Sequence, residues 1–101
     1  MNKYVFIFHV DGPVDMTDEL MEGHKAWFAS LGDKLIDGGN PFNPDSEALV
    51  TADKVEHQPD SVAGYCIVSA ENLDEAIGFA KTFPLLTVSG TSVKVYETMA
   101  M

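Results

Sequence analysis

The chain has 101 residues, with six basic and sixteen acidic side chains and a formal net charge of −10. Its length predicts one domain with a modest core, spanning residues 1–101, and its apolar content of 46% argues against disorder. Such a negative surface repels phosphate backbones and anionic lipids, which argues against nucleic-acid and membrane partners.

The first predicted element is a strand from Lys3 to Val10, where nearly every residue is aromatic or β-branched. Both alternating sets are apolar, so we expect the strand to be buried on both faces. The run YVFIFHV is too short to span a bilayer and lacks the flanking features of a signal peptide. It is therefore interpreted as a strand of a cytoplasmic protein.

A helix is predicted next, from about Asp15 or Thr17 to about Leu31, with Gly32 as its stop. Apolar side chains recur along it at steps of three and four residues, which predicts a single buried stripe. The stripe contains Leu20, His24, Trp27, Phe28 and Leu31.

Short, weaker elements occupy the middle of the chain. KLIDGG predicts a short strand that ends in a glycine pair, and residues 48–58 predict a weak, exposed strand or hairpin.

A second strong strand follows at Ala63–Ala70. It contains Cys66, the single cysteine, so no intramolecular disulfide can form, as expected in a reducing compartment.

The segment ENLDEAIGFAKTFPLL predicts a second helix with a defined start and stop. Asn72 and Glu75 have the spacing of a capping box, and Pro84 disfavours helical geometry at Phe83. The strand SVKVYE closes the chain, with Val93 and Val95 predicted to point inward.

The order strand, helix, strand, strand, helix, strand is that of a ferredoxin-like α+β fold with an antiparallel sheet. Two helices cover only one face of such a sheet. An apolar second face would be exposed in a soluble monomer, so we predict a twofold homodimer with sheet packed on sheet. The alternative is a monomer with a polar-lined cleft on that face.

Three stretches resemble the YCII-related family: NKYVFIFH, HKAWFASLGDKLIDGGNPFNP, and GYCIVSAENLDEAIGFAKTFPLL with the later SVKVYETM. The resemblance covers most of the chain except about Asp45 to Ser61. It implies a ferredoxin-like fold that dimerises as an α+β barrel. Some members resemble enzymes that eliminate halide or isomerise lactones on ring-cleavage products.

The chain departs from the family at two places. One branch carries a DGPF motif before the third strand, where this chain has EHQPDS. Another branch is thought to pair a histidine on the first helix with an aspartate just before the proline that ends the second helix. His24 matches that histidine, but Phe83 precedes Pro84. We therefore expect an apolar plug at the helix stop.

His24 is the best candidate for a general acid/base, because imidazole titrates near neutral pH. His9, at the end of the first strand, is a candidate helper, and Asp37 or Asp11, each near a strand end, could replace the missing carboxylate. Each has a structural alternative: a packed histidine, a histidine at the sheet rim and a solvated turn acid, respectively.

A small apolar molecule is the predicted ligand, with Trp27, Phe28, Phe83 and Asn40 as candidate contacts. A purely core role for the aromatic residues is the alternative. The glycine pair before Asn40 predicts a tight turn and does not match a phosphate-binding loop. The histidine spacings match no metal motif, so neither a metal nor a cofactor is expected.

Two functions follow from these residues. The first is a cofactor-free lyase or isomerase that acts on a small cyclic or aromatic-derived substrate, with His24 moving the proton. The second is a non-catalytic dimeric module that binds a small ligand or supports a partner. Phe83 in place of an aspartate, together with the missing DGPF motif, favours the second.

Overall fold

A computed structural model of the chain describes residues 1–12 and 14–100. Its helices and strands follow the predicted order, with a small hairpin between the second and third strands of the main sheet. In chain order they are β1 (Asn2–Val10), α1 (Asp18–Leu31), β2 (Leu35–Asp37), β3 (Leu49–Val50), β4 (Val55–Glu56), β5 (Val62–Ala70), α2 (Leu73–Lys81) and β6 (Thr91–Glu97). The predicted turn at residues 11–14 includes Pro13, which lies outside the described residues.

The main sheet has four antiparallel strands in the order β2-β5-β1-β6. The two long strands, β1 and β5, lie at its centre, with Phe6 opposite Cys66. On the other side of β1, Phe6 lies opposite Val95 of β6. This topology, with both helices on one face, confirms the predicted ferredoxin-like α+β fold.

The core lies between the sheet and the two helices. Along β1 the even-numbered residues Tyr4, Phe6 and Phe8 are buried, as the two-residue period of a strand requires. They pack in one cluster with the buried residues Trp27, Leu31, Cys66, Val68, Ala70, Ala76, Ala80, Phe83 and Leu85. Val93 and Val95 pack against this cluster, so both point inward as predicted.

Helix α1 begins where the sequence places a cap. The side chain of Thr17 accepts a hydrogen bond from the Leu20 amide at 3.2 Å, and Asp18 and Glu19 occupy the positive end of the helix dipole. The helix ends at Gly32, whose φ of 53° favours glycine.

Helix α2 has only half of the predicted capping box. The Asn72 side chain accepts from the Glu75 amide at 2.9 Å, but the Glu75 carboxylate accepts from the Glu71 amide instead of that of Asn72. At the other end, Phe83 is extended, with φ −63° and ψ 124°, and Pro84 begins a single 3₁₀ turn, Pro84–Thr87. This turn was not predicted.

The predicted exposed hairpin is present as β3 and β4, and its residues Val50 and Val55 are largely exposed. Within residues 1–12 and 14–100, no helix is both long enough and apolar enough to cross a membrane.

The other face of the sheet carries no helix. Its centre is largely apolar: Val5 lies between Ile67 and Tyr96, and Ile7 lies between Tyr65 and Lys94. Val5 and Ile7 are half-buried, so one chain alone does not bury β1 on both faces as the sequence predicted.

Candidate functional site

An apolar cavity of about 570 Å³ lies on the helix-covered side of the sheet. Its walls come from β1, the segment before α1, α1 itself, the loop after β2, β5 and the 3₁₀ turn after α2. The lining residues are Phe8, Val10, Val14, Met16, His24, Phe28, Gly38, Gly39, Asn40, Pro41, Ala63, Gly64, Tyr65, Phe83 and Leu85. A cavity of this size and composition fits a small ring compound.

His24 is half-buried in the wall of this cavity, on the inner face of α1. Its Nδ1 lies 2.8 Å from the Leu20 carbonyl oxygen, one turn back in the same helix. Because a carbonyl oxygen can only accept, Nδ1 carries the hydrogen, and in the neutral ring Nε2 then holds a lone pair. No other group in the described part of the chain makes a hydrogen bond to this imidazole.

Phe83 forms the apolar plug predicted at the stop of the second helix. Its ring stacks on Phe8, with centroids 4.5 Å apart, and meets Trp27 and His24 edge-on at 5.1 Å each. It is only 4% exposed. The residue before Pro84 is therefore part of an aromatic cluster.

Helix α1 packs next to this plug at Gly23, which faces Pro84. A Cβ atom at Gly23 would lie 3.5 Å from the Pro84 ring, which is ordinary van der Waals contact, so the packing does not require a glycine. His24, the next residue, lies against the edge of Phe83.

His9 lies on the other side of the sheet from His24. It follows Val5 and Ile7 on the face without helices and pairs with Ser92 of β6. Its Nδ1 is 3.0 Å from the Ser61 hydroxyl, and it lines a separate pocket of about 310 Å³. The structure therefore does not bring the two predicted catalytic histidines together.

Asp37 shapes the loop beside the cavity but does not line the cavity itself. Its carboxylate accepts a hydrogen bond from the Gly39 amide at 2.8 Å, which is an Asx turn. Asn40 follows this turn and is in the cavity wall.

Three of the four predicted ligand contacts, Phe28, Phe83 and Asn40, line the cavity, whereas Trp27 lies behind it. The Trp27 indole is buried, and its Nε1 donates to the Phe79 carbonyl and the Thr82 hydroxyl at 3.1 and 3.0 Å. Its ring supports Phe28 and Phe83 from the core side.

The sequence analysis did not identify some of the cavity wall. Phe8 could have been found, since it shares the helix-covered face of β1 with Phe6. Val14 and Met16 lie in the irregular segment before α1 and Leu85 lies in the short 3₁₀ turn, and no periodic pattern indicates which way their side chains point.

Cys66 is fully buried in β5 and contributes no nucleophile. Burial raises the pKa of its thiol to about 12, and the nearby Asp37 carboxylate acts in the same direction. The thiol therefore stays neutral and acts as a small core side chain. In residues 1–12 and 14–100, no three His, Cys, Asp or Glu side chains are grouped to hold a metal ion.

Comparison with known proteins identifies a structural neighbour. No family model matches the chain, and no curated protein matches it significantly. Among solved structures it is similar to 5-chloro-2-hydroxyhydroquinone dehydrochlorinase from Burkholderia phenoliruptrix AC1100 in complex with 2,5-dihydroxybenzoquinone, with a TM-score of 0.56 and 21% identity. The alignment covers 95% of this chain and 93% of that chain. At this identity the similarity shows the shared fold.

Proposed function

We propose that the chain is a cytoplasmic, YCII-related protein in which His24 is the general acid/base of a lyase or isomerase reaction on a small cyclic or aromatic-derived substrate. The observation that carries this proposal is the Nδ1 hydrogen bond of His24 to the Leu20 carbonyl, made within an apolar cavity. It orients the ring and leaves the Nε2 lone pair for the substrate.

The Leu20 carbonyl supplies one function of the missing aspartate, which is to orient the imidazole of His24. It fixes the tautomer and the plane of the imidazole, because the Nδ1 hydrogen must point along helix α1. It carries no full negative charge, so it stabilises an imidazolium less than a carboxylate does. The counter-charge during proton transfer would then be the anion that forms on the substrate.

The fold similarity agrees with this chemistry. The neighbour is named as a dehydrochlorinase of a hydroxylated, chlorinated ring and is bound to a dihydroxybenzoquinone. Loss of hydrogen chloride from such a ring requires that a proton be removed, which is the role proposed for His24.

Replacing His24 by alanine should reduce turnover at least about a hundredfold, as expected for the loss of a general base, while the fold is retained. We would measure chloride release from the neighbour's named substrate, and deuterium uptake from heavy water by a panel of cyclic ketones and enones. His57→Ala is the matched control, since His57 is exposed and bonds to the Glu47 carbonyl outside the cavity.

Equal turnover by wild type and His24→Ala would show that the catalytic proposal is wrong. A specific observation favours a second function: Phe83 occupies the place of a carboxylate partner. With that second function the chain binds a ring compound without converting it. Wild type would then bind panel members but release no chloride and take up no deuterium.

We also propose that two copies pack with their helix-free sheet faces together. This face is apolar around Val5, between Ile67 and Tyr96, and Tyr96 is 51% exposed. A second copy presents the same apolar surface, so a twofold contact covers both at once. Sheet-on-sheet packing of this kind is a common way to bury such faces.

Wild type is expected to sediment as a dimer, and Val5→Glu as a monomer, because the substitution places a charge between Ile67 and Tyr96 at the centre of the contact. Lys25→Glu is the control, since Lys25 is exposed on α1 and its side chain is 72% accessible. Circular dichroism checks that each variant is folded. A wild-type protein that stays monomeric at every concentration tested would contradict the proposal.

A further inference from the structure

Asn40 is held in the cavity wall by several features of the loop after β2. The Asx turn of Asp37 fixes the backbone at Gly39, and Gly39 lies directly against the Tyr65 carbonyl. The next residue, Pro41, forms an isolated antiparallel bridge with Gly64. Asn40 is therefore positioned from both sides by contacts with β5.

The side-chain amide of Asn40 has no hydrogen-bond partner among residues 1–12 and 14–100. An amide contains two N–H donors and one acceptor. Among the described lining residues, His24, Asn40 and Tyr65 have polar side chains. Tyr65 pairs with Ile7, however, so its ring lies on the helix-free face of the sheet, and it stacks on Phe42 with ring centroids 5.8 Å apart. Asn40 is exposed where it lines the cavity, so its amide N–H groups are open to a bound ligand.

Permanently charged side chains are absent from the described cavity wall. The six basic residues of the chain are all lysines, so the protein contains no arginine. Within the described chain, no lysine and no acidic side chain lines the cavity. A carboxylate or phosphate in this apolar cavity would lose its hydration and find no lysine or arginine to pair with.

We infer that the cavity selects an uncharged ring compound whose carbonyl oxygen accepts a hydrogen bond from Asn40. The inference rests on the proposed function, in which the same compound presents its mobile proton to His24. Asn40 would stabilise the oxygen on which negative charge develops when that proton leaves. It is a specificity-determining residue that favours ketones and quinone-like rings over carboxylated ones.

Calorimetric titration with three matched ligands tests this without any turnover. The ligands are para-hydroxyacetophenone, which has a neutral carbonyl, para-ethylphenol, which has none, and para-hydroxybenzoate, which is an anion at neutral pH. The proteins are wild type, Asn40→Ala and the control Asn43→Ala. Asn43 lies in the same loop, outside the cavity, and its side chain accepts from the Asp45 amide at 3.0 Å.

Wild type should bind the ketone most tightly. Asn40→Ala should weaken ketone binding roughly five- to tenfold, as expected for one lost neutral hydrogen bond, and leave para-ethylphenol unchanged. Asn43→Ala should match wild type throughout. The inference is overturned if para-hydroxybenzoate binds as tightly as the ketone, if Asn40→Ala weakens both neutral ligands equally, or if none of the three binds.

These outcomes are independent of the proposed catalysis. Ligand selection can hold while His24→Ala leaves turnover unchanged, in which case only the catalytic proposal fails. It can also fail while His24 still proves essential, which would locate the selectivity at other residues of the wall.

Discussion

Replacing Phe83 by alanine is expected to reduce the free energy of unfolding by about 3–5 kcal/mol, the usual cost of deleting a buried aromatic ring. Phe83 is 4% exposed and contacts the rings of Phe8, Trp27 and His24. Denaturant unfolding at one fixed protein concentration would measure the loss.

Leu86→Ala is the matched control, since Leu86 lies in the same 3₁₀ turn and is 38% exposed. Its cost should stay near 1 kcal/mol or below, as for partly exposed side chains. A similar small cost for Phe83→Ala would mean that the aromatic cluster does not support the fold. The variant also enlarges the cavity next to His24, so affinity for small ring compounds should change with it.

Phe83 also shows what the sequence can reveal about the site. Pro84 dictates that the helix ends, and the phenylalanine before it excludes a carboxylate there. Both predictions, the helix end and the absence of a carboxylate, follow from the identities of residues 83 and 84 alone. The ring's contact with β1 and α1 depends on three elements meeting, and no local pattern specifies which aromatic partner it stacks on.

The strands and helices were predictable because apolar residues recur along them with a regular period and because the helices begin at side chains that can cap them. Thr17 and Asn72 accept the hydrogen bonds that such caps provide. The reciprocal half of the capping box was not predictable, because Glu75 can reach the Glu71 amide equally well. Lys34 also lies 3.5 Å from its carboxylate.

The placement of His9 depended on a choice that the sequence left open. Both faces of β1 are apolar, so the pattern does not say which face the helices cover. The covered face proved to be that of Tyr4, Phe6 and Phe8, which puts His9 on the other side. The partner of His24 is instead the carbonyl of Leu20, a backbone atom that carries no sequence signal.

Replacing Gly39 by alanine is expected to destabilise the protein by more than about 3 kcal/mol, because two costs combine. Its φ of 69° is rarely adopted by residues with a side chain, and a Cβ atom would lie 1.7 Å from the Tyr65 carbonyl oxygen. That oxygen belongs to the central strand β5, so the loop, and Asn40 with it, would have to move away. Thermal and denaturant unfolding would measure the cost.

The neighbouring glycine provides the control for this variant. A Cβ atom at Gly38 meets nothing within 4 Å, and its φ is not positive, so Gly38→Ala should change stability by less than about 1 kcal/mol. If Gly39→Ala were equally mild, the loop would not be held against β5 as described. The proposed role of Asn40 would then lose its structural basis, because an amide on a loosely held loop is not preorganised for one oxygen. The glycine pair thus links a stability measurement to the selectivity of the cavity.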